Sequence, residues 1–213
     1  MSNDGRDPAL SRRRLIRLGL AVPVLLPAAA CSFDPGRGEE DVAPIATGPL
    51  PTTPECGDGT KPTLEQTEGP YFTPGSPERA DLRTADLAGV ALTLTGFAVD
   101  RDCRPIRRAL LDFWQADAAG DYDNDGFTLR GHQYTADNGG FRLTTVVPAN
   151  YGSRTPHIHV KAQAPGASVL TTQLYFPGER LNRRDGLFNE TLVMDLAADG
   201  GARRGRFTFV LAT

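Results

Sequence analysis

Histidine is scarce in this chain of 213 residues, which holds only three. Cysteine is as scarce at three, so a metal site would have to draw on other ligand types. Positive charge is not in excess either. The formal net charge is −3, which leaves no electrostatic footprint for nucleic acid. No apolar run is long enough to span a bilayer: the strongest, LGLAVPVLLPAAA at residues 18–30, is short and rich in small residues. There is no internal repeat and no long helical period. Seventeen prolines argue further against a helical bundle.

What is present divides the chain into three parts. Residues 1–30 carry an arginine cluster, SRRRLIRLGL, directly before the apolar run. That order predicts a secretory signal, and Arg12–Arg14 match the twin-arginine export motif. Ala28-Ala29-Ala30 supplies a cleavage site, while Cys31 right after it is a candidate for lipidation and membrane anchoring. The expected location is therefore the periplasm or the cell surface. Residues 31–55 are rich in Pro, Gly and charge and read as a flexible linker. Without residues 1–30 the chain has 18 basic and 24 acidic residues, a net charge of −6. In an oxidising compartment the two remaining cysteines, Cys56 and Cys103, are a candidate disulfide.

From residue 56 to 213 the pattern becomes that of strands. GVALTLTGFAV (89–99) alternates apolar and small polar residues. Further strands are expected at 108–117, 141–148, 157–165, 169–177, 191–196 and 205–212, separated by turn signals such as DNGG and PGER. The expected fold is all-β, an antiparallel sandwich of about seven to eight strands with long functional loops. Trp114 falls in an alternating strand and is expected in the core. The Asp- and Gly-rich insert 117–140 is read as a loop suited to function.

The densest chemistry lies in YGSRTPHIHVKA, residues 151–162. Side chains at i and i+2 of a strand share a face, so His157 and His159 project together while Ile158 points into the core. Two imidazoles need further protein ligands to hold a metal. Zinc or copper would have to recruit His132, the one other histidine. Tyr122 and Tyr151 offer oxygen donors instead, and a phenol ligates strongly only when a highly charged cation displaces its proton. That choice favours a ferric ion. Two hydrogen-bonded histidines with no metal, in a non-catalytic exported binding sandwich, stay open as an alternative. Asp121, Asp123 and Asp125 with Gly126 match half of a calcium loop, but His132 stands where its Glu belongs, and a solvated turn is expected.

Five segments in order then carry a resemblance: TEGPYF (67–72), DFWQADAAGDYD (112–123), LRGHQYTADNGGFRL (129–143), VPANYGSRTPHIHVKA (147–162) and TTQLYFPGE (171–179). Together they resemble the intradiol ring-cleavage dioxygenases, non-haem Fe(III) enzymes that open catechols between the two hydroxyls, and in particular the exported branch of that family. The resemblance implies one Fe(III) per chain held by Tyr122, Tyr151, His157 and His159, with Tyr151 and His157 as the axial pair. It implies a small aromatic diol and O₂ as substrates and a cis,cis-muconate-type product. Arg154 matches the family's active-site arginine, Gln173 a glutamine of the same pocket, and Tyr71 a residue lining the substrate cavity. Asn150-Tyr151-Gly152 departs from the family, where Pro usually follows the tyrosine. The N-terminal helical region through which many relatives dimerise has no counterpart here, which leaves the oligomeric state open.

Overall fold

The computed structural model describes residues 61–213. The predicted signal, linker, Cys31 and Cys56 lie outside the described residues. Cys103 is disulfide-bonded.

Among the described residues eight strands form two four-stranded sheets. In chain order they are β1 (Ala91–Val99), β2 (Leu110–Gln115), β3 (Arg130–Tyr134), β4 (Gly140–Val146), β5 (His157–Gln163), β6 (Leu170–Tyr175), β7 (Asp195–Asp199) and β8 (Ala202–Val210). One sheet runs β4-β1-β8-β7 and the other β3-β2-β5-β6. The expected all-β sandwich is what the described residues form. The alternation of β1 sends Leu92, Leu94 and Ala98 inward, where they meet Leu111 and Phe113 of β2 and Ile158, Val160 and Ala162 of β5. Burying each large apolar side chain stabilises the fold by about 1.5–3 kcal/mol.

Three features differ from the sequence reading. First, β1 and β8 pair in parallel, whereas the other strand pairs are antiparallel. Alternation has the same period in both arrangements, so it cannot tell them apart. The parallel contact is close: a Cβ on Gly96 would lie 1.6 Å from the Phe207 carbonyl oxygen. Second, the 117–140 insert contains β3. Its sequence RGHQY lacks the apolar alternation of a half-buried strand, because its inward positions are served by Gly131 and by neighbours from other segments. Third, residues 190–192 form a 3-10 turn, with Thr191 N–H donating to the Asn189 side chain, and the last hairpin strand starts only at Asp195.

One sheet has a buried outer face. Residues 61–80 cross β3-β2-β5-β6 as a strap. Gln66 N–H donates to Thr171 O at 2.8 Å, the Gln173 amide to Thr67 O at 2.9 Å, and Arg79 N–H to His132 O at 2.8 Å. This cover explains why His157 to Val160 are all buried: even members of β5 face the core and odd members face the strap. Among the described residues no helix is long and apolar enough to cross a membrane.

Candidate metal centre

Cross-strand register fixes what lies under the strap. Arg130, Trp114, His159 and Gln173 form one row across β3, β2, β5 and β6, and His157 stands beside Tyr175 in the next. Trp114 is therefore buried but not in the inter-sheet core, contrary to the expectation. It sits on the outer face, with its indole stacked on the His159 ring at 4.8 Å and 8° and Phe72 edge-on at 4.8 Å. Alternation hides this because both faces of β2 are covered.

The two imidazoles converge through Nε2, 3.1 Å apart. His157 Nδ1 lies 2.6 Å from Thr155 O, so Nδ1–H is the donor and Nε2 keeps its lone pair. Burial lowers the His157 imidazole to about 4, opposed by the Thr155 carbonyl, and holds His159 well below its ordinary value. Both rings are thus neutral at physiological pH and able to ligate. His159 Nδ1 is buried with no hydrogen-bond partner, a cost that a useful Nε2 can offset. Two nitrogens each about 2.1 Å from one cation and about 90° apart would be about 3 Å from each other, which the observed spacing matches.

Tyr122 brings its hydroxyl to 3.4 Å from His157 Nε2. Its loop is held by its own acids. Asp117 accepts the N–H groups of Ala119 and Asp121, and Asp123 those of Asp125, Gly126 and Thr128. The Asp121–Gly126 segment is therefore a self-capped turn, with Asp123 committed to backbone amides. Buried Arg130 clamps the loop to the strap by donating to Asp123 O and to Tyr71 O. Gly120, at φ +94°, lets the loop approach the next one: a Cβ there would meet Asn150 O at 2.5 Å. Burial raises the Tyr122 phenol well above its ordinary value, with Arg154 and Arg130 pulling the other way.

Tyr71 stacks on Tyr122 with ring centroids 4.6 Å apart, and its hydroxyl is hydrogen-bonded to that of Tyr151. The Tyr151 ring stands edge-on to Tyr122 at 5.7 Å, and the residue is 39% exposed. Three of the four predicted ligands thus meet directly, and Tyr151 stands at their rim beside Tyr71. A cavity of about 210 Å³ is lined by Gln115, Asp117, Asp121, Tyr122, Asp123, Thr128 and Leu129.

His132 does not join this group. It stands on β3 opposite Asp112, two residues along from the Trp114–His159 row, and its Nδ1 is 3.1 Å from Ser76 Oγ. Among the described residues no three His, Cys, Asp or Glu side chains gather to hold a metal. The expected alternative of a zinc or copper site built from His132, His157 and His159 is therefore corrected: His132 does not reach the other two.

Arg154 approaches from the loop before β5. Its Nε–H faces both carboxylate oxygens of Asp185 at 3.0 and 2.9 Å, and its Nη2 donates to Gln173 Oε1 at 2.6 Å. Gln173 is fully buried, with its NH₂ spent on Thr67 O. Burial raises the Asp185 carboxyl, but the N–H groups of Leu187 and Thr155 and the Arg154 guanidinium outweigh it and leave it below the ordinary range.

A family model described as a dioxygenase matches residues 67–199. The chain belongs to the intradiol ring-cleavage dioxygenase family. It is 54% identical to the dioxygenase domain of a dioxygenase carbohydrate-binding protein fusion from Streptomyces sp. SirexAA-E, covering 72% of this chain and 99% of that one with a TM-score of 0.71. It is 31% identical to 3-chlorocatechol 1,2-dioxygenase from Rhodococcus opacus 1CP, covering 71% and 73% with a TM-score of 0.66. Hydroxyquinol 1,2-dioxygenase of Nocardioides simplex is 28% identical over 195 residues, 73% of this chain and 66% of that one. Against the first curated relatives the chain spans about half to two thirds of their length.

All the converging residues from Tyr71 to Asp185 lie inside the matched span. Four of them were not assigned a role from sequence: Trp114, Arg130, Tyr175 and Asp185. Trp114 and Arg130 do occupy β-register positions level with His159. Asp185 sits in RRDGL, where nothing distinguishes it from a solvated turn.

Proposed function

We propose that this chain is a non-haem Fe(III) dioxygenase. It would bind one ferric ion per chain and open a catechol-type ring between its two hydroxyls, adding both atoms of O₂ to give a cis,cis-muconate-type product. The observation that carries this is the convergence of two neutral imidazole Nε2 atoms and the Tyr122 phenol where, among the described residues, no third His, Cys, Asp or Glu is at hand. A phenol whose proton burial makes hard to remove needs a strongly charged cation to become a ligand. The donors present fit a hard trivalent ion, and His157, His159, Tyr122 and Tyr151 would hold it. Bound there, Fe(III) would supply Lewis acidity and a template for the catechol oxygens.

The chain's own residues would do the rest. His157 is held in one tautomer by Thr155 O, and His159 is fixed in its plane by the Trp114 face. Tyr151 is the exposed residue among the proposed ligands, and its hydroxyl is paired with that of Tyr71. Its oxygen would take a proton from the incoming diol and share it with Tyr71. Arg154 would stabilise negative charge as it develops on the substrate, acting from a guanidinium already oriented by Asp185 and Gln173. The strap and Trp114 exclude water on the sheet side.

Arg12–Arg14 before the apolar run support export by the twin-arginine route, with the protein loaded with metal before release. N-terminal mass analysis of the exported protein distinguishes a cut before Cys31 with lipid from a plain cut. The function itself is tested by loading iron and offering catechol, protocatechuate and hydroxyquinol. A coloured protein with one iron per chain that consumes O₂ is expected. A colourless, zinc-containing protein inert toward all three would refute the proposal.

A further inference from the structure

We infer that Asp185 is a positioning residue for Arg154, holding one edge of its guanidinium so that the opposite edge faces the reacting diol. The inference rests on the dioxygenase reading above. Arg154 presents five N–H groups in a rigid plane. Its Nε–H is taken by both oxygens of Asp185, and its Nη2 by Gln173 Oε1 with the Tyr175 hydroxyl at 3.4 Å. Nη1 has no hydrogen-bond partner among the described residues and remains for a ligand.

The holder is itself held. The Asp185 side chain is 1% exposed against 21% for Arg154. Thr155 N–H donates to one of its oxygens at 2.9 Å and Leu187 N–H to the other at 3.0 Å. Thr155 is also the residue whose carbonyl orients His157. Gln173 stands directly opposite His159 in the β5–β6 register. The carboxylate therefore ties the guanidinium to the same short segment that sets the imidazoles. A carboxylate fixed from two backbone donors on separate segments cannot follow the arginine if it moves, so it sets a reference position. Misplacing a catalytic group by about 1 Å can cost about a hundredfold in rate.

The test is a double-mutant cycle on the iron-loaded full chain: Asp185→Asn, Arg154→Ala and both together, with turnover expressed per bound iron. Asp185→Asn is expected to keep the visible colour per iron while kcat falls by about ten- to a hundredfold, more than KM changes. Added to Arg154→Ala it is expected to cost little more, because both act through one group. Asp185→Glu keeps the charge but shifts it, and should restore part of the loss. It also serves as the test variant if Asp185→Asn does not fold. A crystal structure of the Asn variant should show the Arg154–Gln173 contact broken. An Asp185→Asn protein of lower thermal stability but undiminished turnover per iron overturns the inference, as does a loss that adds fully to that of Arg154→Ala. If the wild-type iron protein cleaves no catechol at all, the dioxygenase reading fails first, and the inference falls with it.

Discussion

Neighbouring positions of β2 offer a way to separate the site face of the sheet from its core face. Leu111 and Trp114 are both buried, at 0% and 1% exposure. Leu111 packs between the sheets, whereas Trp114 covers His159 on the outer face. Leu111→Ala should destabilise by about 2–5 kcal/mol and Trp114→Ala by about 3–5 kcal/mol, from lost transfer energy plus the void left behind. Area reasoning agrees: an indole burying about 200 Å² at about 25 cal/mol/Å² gives about 5 kcal/mol. The stability costs thus overlap, but their consequences for the metal should not. Without the indole, His159 loses the plane that fixes its ring, and water reaches its unpartnered Nδ1. Trp114→Ala is expected to weaken iron binding by at least tenfold in a chelator competition, at a temperature where both variants are fully folded by denaturant melts. Leu111→Ala should retain wild-type affinity under the same conditions. Equal iron affinity in the two variants would refute the assignment of Trp114 to the site.

Tyr122→Phe should abolish most of the visible absorption of the iron protein, whereas His132→Ala should leave it intact; absorption spectra at matched iron content decide. Gly120→Ala places a methyl against Asn150 O at a positive φ, so it should cost more than about 1 kcal/mol in denaturant melts and lower iron occupancy with it. Asp185 has a folded pKa below its unfolded value, so its stabilisation is complete above the ordinary carboxylate pKa of about 3.9 and is lost as pH falls below it. The stability gap between wild type and Asp185→Asn should accordingly be wide at neutral pH and shrink in acid, and a gap that widens in acid would contradict that sign.

How much of this could be read from the sequence follows from which signals have a period. The convergence of His157 and His159 was legible because a strand repeats every two residues, and β5 is a strand. The sandwich was legible for the same reason in β1, where Leu92, Leu94 and Ala98 mark the core. Tyr122 has no such signal. It reaches His157 through a turn set by Asp117, Asp123 and Gly120, so its donor chemistry and the ordered run of motifs pointed to it, but no period did. β3 was missed because Gly131 leaves its place in the core to Leu82 and Arg79 of another segment. Trp114 was misplaced because the strap buries the second face of its strand, which erases the polar half of the alternation. Asp185 was invisible because its importance lies in a contact with Arg154 made 31 residues away.

The proposed reaction puts both atoms of O₂ into a catechol ring between its hydroxyls. Turnover of the iron-loaded protein under ¹⁸O₂, with the product analysed by mass spectrometry, tests it most directly. The expected product is a cis,cis-muconate-type dicarboxylate carrying two ¹⁸O atoms, one on each new carboxylate. A product opened beside the hydroxyls, or one carrying no label from O₂, would contradict it.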